Sequence, residues 1–229
     1  MSICLICTMK IGIKDVLNRI NLFFILYLVI LAACLIIKLL YSRDDIYFAV
    51  NSHYNYTADT FFTWFTNVGD GLFTVSIAIL LALFYSYRKA FLLITSYGVT
   101  SLVAQILKHW FDAPRPKLYF GDQLSHIHFV EDLYVPSLHS FPSGHSVTVF
   151  STAVVLTYLC RQKGWGLLFW AIAVATAYSR MYLSAHFFED VVAGSVIGVI
   201  VTVLWLTWLD SKPFLHTGKW DKSLTKKRT

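Results

Sequence analysis

Six stretches of the chain, at residues 20–41, 71–88, 90–111, 144–161, 165–184 and 188–209, are apolar over close to the roughly 20 residues that a helix needs to cross the hydrocarbon core of a bilayer. Each is bounded by charge, glycine or proline. One buried core does not explain several separate runs of that length. The composition agrees: of 229 residues, 57% are hydrophobic and only 14% charged, well outside soluble averages. The expected fold is an all-α membrane protein, six transmembrane helices in one bundle. The first run is too long for the apolar region of a cleavable signal and lacks a clear small-residue cleavage site, so it reads as a retained anchor. With no internal repeat and no low-complexity segment, residues 1–229 form one expected domain.

The formal net charge of +6 does not point to nucleic acid, because the basic residues form no patch interleaved with aromatics. They gather instead at the ends of the apolar runs. Thirteen of the nineteen lie at Lys10, Lys14, Arg19, Arg88, Lys89, Arg161 and Lys163 and in the tail from Lys212 to Arg228. By the positive-inside rule these segments are cytoplasmic, as are both termini. The basic tail, about 211–229, has affinity for anionic lipid headgroups in its last residues, Lys222 to Thr229. The expected location is the cell (inner) membrane. Of the four cysteines, Cys34 and Cys160 sit in or beside apolar runs, where cysteine behaves as a small hydrophobe. Cys4 and Cys7 have a redox or metal spacing, but no partner pair follows.

The opposite, non-cytoplasmic face then receives residues 43–70, the loop 112–142 and a short turn around Ala185. The first of these is dense in aromatics: Tyr47, Phe48, Tyr54, Tyr56, Phe61, Phe62, Trp64 and Phe65. It reads either as an anchor at headgroup level or as an element that helps a lipid reach a site. A loop of about thirty residues is long enough to suggest function.

The ionisable residues that do not fit the membrane pattern collect at this face, and such residues are functional hypotheses by default. Lys108 lies near the outer end of the third run and Arg115 just beyond it; the bland readings are a snorkelling lysine and an Arg115–Asp112 pair. Pro142, Ser143, Gly144 and His145 open the fourth run. A helix N-terminus offers free N–H groups and a positive dipole end to an anion, and glycine allows close approach. Ser143 alone would be a helix cap and His145 an interfacial histidine. Ser179, Arg180, His186 and Asp190 span the fifth and sixth runs. The i, i+4 relation lets Asp190 hold one imidazole nitrogen of His186 and leave the other free to act as a nucleophile, although such pairs also form ordinary helix-end contacts.

Together these clusters supply three cations, a helix N-terminus, two histidines and a carboxylate on one face. Phosphoryl transfer requires such a set, since catalysis rests on positive and N–H groups aimed at the equatorial oxygens. The nearby acids, Asp112, Glu189 and Asp190, do not resemble an octahedral magnesium site, so no metal is expected.

In order and spacing, the motifs from Lys108 to Asp190 resemble the three signatures of the type 2 phosphatidic acid phosphatase superfamily of integral membrane lipid phosphatases. The resemblance implies that His186 attacks phosphorus, Asp190 fixes its tautomer and His145 serves as general acid and base. It implies too that Lys108, Arg115, Ser143, Gly144 and Arg180 bind the phosphate, with no cofactor. The partners expected are membrane lipids and a lipid phosphate or diphosphate of the undecaprenyl, phosphatidylglycerol, phosphatidic acid or lipid A type. Tyr178, Tyr182 and Glu189 read as packing or solvated residues. Transfer of the phosphate to an acceptor other than water, or a non-catalytic lipid-binding or transport role, are the competing readings.

Overall fold

The computed structural model describes residues 11–130, 133–160 and 162–225, without the side chains of residues 122, 123 and 126. Cys4, Cys7, Lys10, Arg161 and the tail beyond Thr225 lie outside the described residues. Among those described, every regular element is helical. Ten α-helices follow one another: α1 (Ile13–Arg19), α2 (Asn21–Leu40), α3 (Arg43–Asn51), α4 (Tyr56–Phe65), α5 (Gly71–Phe84), α6 (Tyr87–Phe111), α7 (Pro116–Phe120), α8 (Gly144–Leu159), α9 (Gly164–Tyr182) and α10 (Phe188–Leu209).

Each apolar run thus contains one helix. Helices α2, α6 and α10 are long and apolar enough to cross a membrane, and residues Tyr56–Gly69 with Gly71–Phe84 reach that standard as a pair bent by 55°. The second run yields a helix shorter than its 71–88 range, because the Ser86 hydroxyl accepts from the Lys89 N–H at 3.2 Å and caps α6. The outward surface is apolar on several helices at once, with Ile25, Val29, Leu39 and Leu40 on α2, Leu102 and Ile106 on α6, and Ile200 and Leu204 on α10. Apolar exposure on that scale is suited to lipid rather than water.

Helix α8 is the hub. Its residues from Ser146 to Val155 are all buried, and α6, α9 and α10 pack around it, as expected for a helix apolar on every side. Helices α8 and α10 approach closely at Gly194 and Gly198. A Cβ on Gly194 would lie 2.6 Å from the Ser143 carbonyl oxygen, and one on Gly198 the same distance from that of Val147. This is the small-residue spacing that lets backbones meet in a membrane. One turn further on, Thr202 donates a 2.7 Å hydrogen bond to the Ser151 hydroxyl.

At the end of α8 remote from His145, Asp210 is fully buried and holds the bundle together. It accepts from Arg88 Nε (2.9 Å) and Nη2 (2.6 Å) and from the Tyr158 hydroxyl (2.6 Å). The aromatic segment 43–70 folds into α3, α4 and a 3-10 turn at Thr66–Gly69. Tyr47 and Phe62 turn inward, the first donating to the Ser184 hydroxyl at 2.9 Å and the second lying against Tyr182. Tyr56 and Trp64 point outward.

A Gly198→Ala substitution gains about 1 kcal/mol of helix propensity. It also drives a methyl group into a backbone carbonyl that no rotamer change can move. The clash should dominate by roughly 1–3 kcal/mol, the usual cost of overpacking, and thermal unfolding of the purified protein should show a lower midpoint.

Candidate active site

The long loop is pinned at both ends before it meets the helices. The Arg115 N–H donates to the Ser137 carbonyl and the Ser140 N–H to the Ala113 carbonyl, each at 2.9 Å. A further backbone bond at 2.9 Å, from the Ser143 N–H to the Asp190 carbonyl, ties the start of α8 to the first turn of α10. The three sequence clusters are thereby brought to one end of the bundle.

His186 lies between α9 and α10, 2% exposed, beneath a turn in which the N–H groups of Ala185 and His186 both donate to the Arg180 carbonyl. Burial, and after it the charges of Arg115, Arg180 and Lys108, push its pKa well below the usual imidazole value, so the ring is held neutral. Its Nδ1 faces Ser140 Oγ at 3.4 Å and Asp190 Oδ2 at 3.6 Å. The second distance is beyond a direct hydrogen bond. Asp190 instead accepts from the Ser140 hydroxyl at 2.5 Å and caps α10 through the Phe187 N–H at 2.9 Å. Nδ1 is therefore turned toward a serine–aspartate pair, and Nε2 is the remaining ring nitrogen.

The three cations are held by neutral acceptors. Arg115, 7% exposed, donates to the carbonyls of Leu138 (3.1 Å) and Ala185 (3.2 Å). Arg180, 9% exposed, donates through Nη1 to the Thr66 hydroxyl at 2.7 Å, and its Nε is buried without a partner. Lys108 donates to the His139 carbonyl at 3.1 Å, and its ammonium would lie 3.9 Å from a Cβ on Gly144. Among the described residues none of the three forms an ion pair. Charges buried without a counter-charge make a strong demand for an anion. Arg115 does not pair with Asp112, whose carboxylate lies 3.1 Å from His139 Nδ1.

His145 sits in the first turn of α8, packed against Gly69 and within electrostatic range of Arg180, His186, Lys108 and Arg115. Ser143 is the N-cap, its hydroxyl accepting from the Ser146 N–H at 3.5 Å, and is fully buried. Gly144 opens the helix beside Lys108, so an N-terminus and a cation share one small space.

Two polar residues here were not expected from sequence. Thr66 anchors Arg180 from a 3-10 turn remote in the chain, and Ser140 stands between His186 and Asp190. Neither carries a spacing signal. Glu189, read as packing or solvated, is engaged structurally: it pairs with Arg43 at 2.5 Å and Lys38 at 3.6 Å, fastening α3 to α10. The Tyr182 hydroxyl donates to Asp59 at 2.6 Å and ties α9 to α4. Among the described residues no group of three or more His, Cys, Asp or Glu side chains is disposed to hold a metal ion.

A helical bundle with an apolar exterior, carrying a buried imidazole among cations that form no ion pair among the described residues, has the character of an integral membrane protein. Residues 89–213 match the PAP2 superfamily. The chain belongs to that family, and it is accordingly a phosphatase of the membrane-embedded type. It is 28% identical over 193 residues to the undecaprenyl-diphosphatase of Sulfolobus acidocaldarius, covering 80% of this chain and 88% of that protein. Phosphatidylglycerophosphatase B of Bacillus subtilis is 27% identical over 159 residues, 62% of this chain and 70% of its own. The solved structure of Aquifex aeolicus LpxE superposes with a TM-score of 0.63 at 27% identity, over 71% of this chain and 93% of the other.

Replacing Ser140 with alanine removes one of the two groups on Asp190 Oδ2 and the hydroxyl facing His186 Nδ1. Turnover should fall roughly tenfold or more, consistent with 1–3 kcal/mol for a disrupted buried polar contact. Ser140→Thr, which keeps the hydroxyl, should recover a large part of it, as read by phosphate release from the purified protein.

Proposed function

We propose that this protein dephosphorylates a membrane lipid phosphate or diphosphate through a phosphohistidine. The observation that carries the reading is the burial of Arg115 and Arg180 beside His186 with no carboxylate within ion-pair distance among the described residues. A phosphate would supply the missing negative charge and occupy the unpartnered Arg180 Nε.

In the first step His186 Nε2 forms a bond to phosphorus while the bond from phosphorus to the bridging oxygen breaks. His145 gives its proton to the departing oxygen, and the lipid leaves as an alcohol or monophosphate. Asp190, acting through Ser140, fixes the ring's orientation. In the second step water attacks the phosphohistidine, His145 takes its proton, and inorganic phosphate departs with His186 restored. Lys108, Arg115 and Arg180, with Ser143 and the N–H of Gly144, bind the equatorial oxygens throughout. None of these steps requires a metal ion.

The substrate class follows from the surroundings. The site lies among helices whose outward surfaces are apolar, which favours a phosphate carried on acyl or prenyl chains. The named activities of the relatives, on undecaprenyl diphosphate and phosphatidylglycerophosphate, fall within that class. We infer six crossings, by α2, α5, α6, α8, α9 and α10, as one unit with motif core 108–190. Arg19, Arg88, Lys89 and Lys163 collect at the end of the bundle remote from His186. This supports a cytoplasmic position for those residues and both termini and an outward-facing site in the cell membrane.

Purified protein should release phosphate from one or more lipids in a panel of undecaprenyl diphosphate, phosphatidylglycerophosphate, phosphatidic acid and lipid A, in the presence of a strong chelator. His186→Ala, His145→Ala and Arg180→Ala should each reduce turnover by about a hundredfold or more. Full activity of His186→Ala would refute the nucleophile, and a product phosphorylated on an added acceptor would reassign the protein as a transferase. In intact cells, a cysteine introduced at Ser125 should react with an impermeant thiol reagent; labelling only after permeabilisation would reverse the orientation.

A further inference from the structure

The end of the bundle remote from His186 carries a cleft. A cavity of about 930 Å3 opens there, against about 220 and 170 Å3 for two apolar clefts on the helix flanks. Its walls include Arg19, Arg88, Lys89, Lys163, Tyr158 and Asp221. Because α6 runs from Arg88 near this end to Lys108 near the other, roughly 30 Å of helix rise separates the cavity from the catalytic pocket.

The charges do different work. Arg88 is neutralised by its two bonds to the buried Asp210, so it is part of the scaffold. Arg19, Lys89 and Lys163 have no carboxylate partner among the described residues. Two of them are nevertheless held in place: the Arg19 guanidinium lies 4.8 Å from the Tyr158 ring centroid and the Lys89 ammonium 5.4 Å from that of Tyr85. Stacking engages the face of a guanidinium and leaves its N–H edge available to an oxyanion. Three unneutralised cations thus face a single lining acid, Asp221.

We propose that this cavity is a second phosphate site, which takes the phosphodiester head group of an anionic membrane lipid. The chemistry is that of a phosphate between converging cations, and basic pockets between membrane helices select such head groups. The location favours a lipid over free phosphate. The rim carries Trp165, 45% exposed, an amphipathic side chain suited to headgroup depth, and the helices that form the cavity are apolar on their outer surfaces below it. Bound lipid would bridge α1, α6 and the α8–α9 connection and offset the mutual repulsion of the three cations.

The test measures binding of short-chain phosphatidylglycerol to the purified full-length protein, beside phosphatidylcholine of the same chain length and inorganic phosphate. Phosphatidylglycerol should bind saturably and phosphatidylcholine at least tenfold more weakly. Combined Arg19→Gln, Lys89→Gln and Lys163→Gln should weaken phosphatidylglycerol binding at least tenfold, and Arg180→Ala, in the other pocket, should leave it unchanged. Asp221→Asn removes the lining acid and should tighten binding severalfold, which keeps the idea testable if the triple variant fails to fold. Equal binding of the two lipids, or phosphatidylglycerol affinity that ignores both the triple variant and Asp221→Asn, overturns the site. Inorganic phosphate binding as tightly as phosphatidylglycerol, with the same sensitivity to the triple variant, overturns the lipid as its source.

Discussion

The structure depends on how closely α8 and α10 approach. Where Gly194 and Gly198 face the carbonyls of Ser143 and Val147, a Cβ would sit at 2.6 Å, so the two backbones meet at a separation that no larger residue permits. That contact lets the Ser143 N–H reach the Asp190 carbonyl, and the N-terminus of α8 is thereby set beside the first turn of α10. His145 and His186, 41 positions apart in the chain, come to share one space because two glycines are absent of side chains a turn or two away. In a bilayer, where lipid tails remove the hydrophobic force between helices, such close backbone packing is a principal source of association.

On that frame the site concentrates positive charge. Burial of Arg115 and Arg180 is unfavourable by itself, and the fold tolerates it by giving each guanidinium carbonyl or hydroxyl acceptors rather than a carboxylate. A carboxylate would have satisfied the charge permanently and closed the site to phosphate. Asp190 accepts from Ser140 and the Phe187 N–H, and among the described residues it forms no ion pair with any of the three cations. Burial, and after it the charges of these cations, push the pKa of His186 well below the usual imidazole value, which favours the neutral ring.

Four helices, α6, α8, α9 and α10, each carry a candidate catalytic group near one end and a basic or aspartate-linked group near the other. The two ends solve the problem of buried charge differently. At one, Arg88 and Asp210 neutralise each other and lock the bundle. At the other, among the described residues, Arg115 and Arg180 are held by carbonyl and hydroxyl oxygens without an ion pair. The difference lies in which partner is placed within reach and not in the kinds of residue used.

Much of this was legible in the sequence. Each of the six apolar runs holds a helix, because apolar backbone must bond to itself, although only α2, α6 and α10 are each long and apolar enough by themselves to cross a membrane. The motif spacings named the histidines, the cations and the capping serine, because those residues are local to helix ends and helix ends are local events. The sequence did not reveal Ser140 between His186 and Asp190, Thr66 on Arg180, or Glu189 on Arg43. Nor did it show that the aromatic segment divides, with Tyr47 and Phe62 packed inward and Tyr56 and Trp64 facing out. Those contacts join residues 46 to 146 positions apart or depend on which face of a short helix meets a neighbour. Periodicity and motif spacing record what a residue's near neighbours in the chain require, so they determined the elements and the site's inventory. Which side chains finally touch was decided by the packing of whole helices, and only the tertiary structure contains that information.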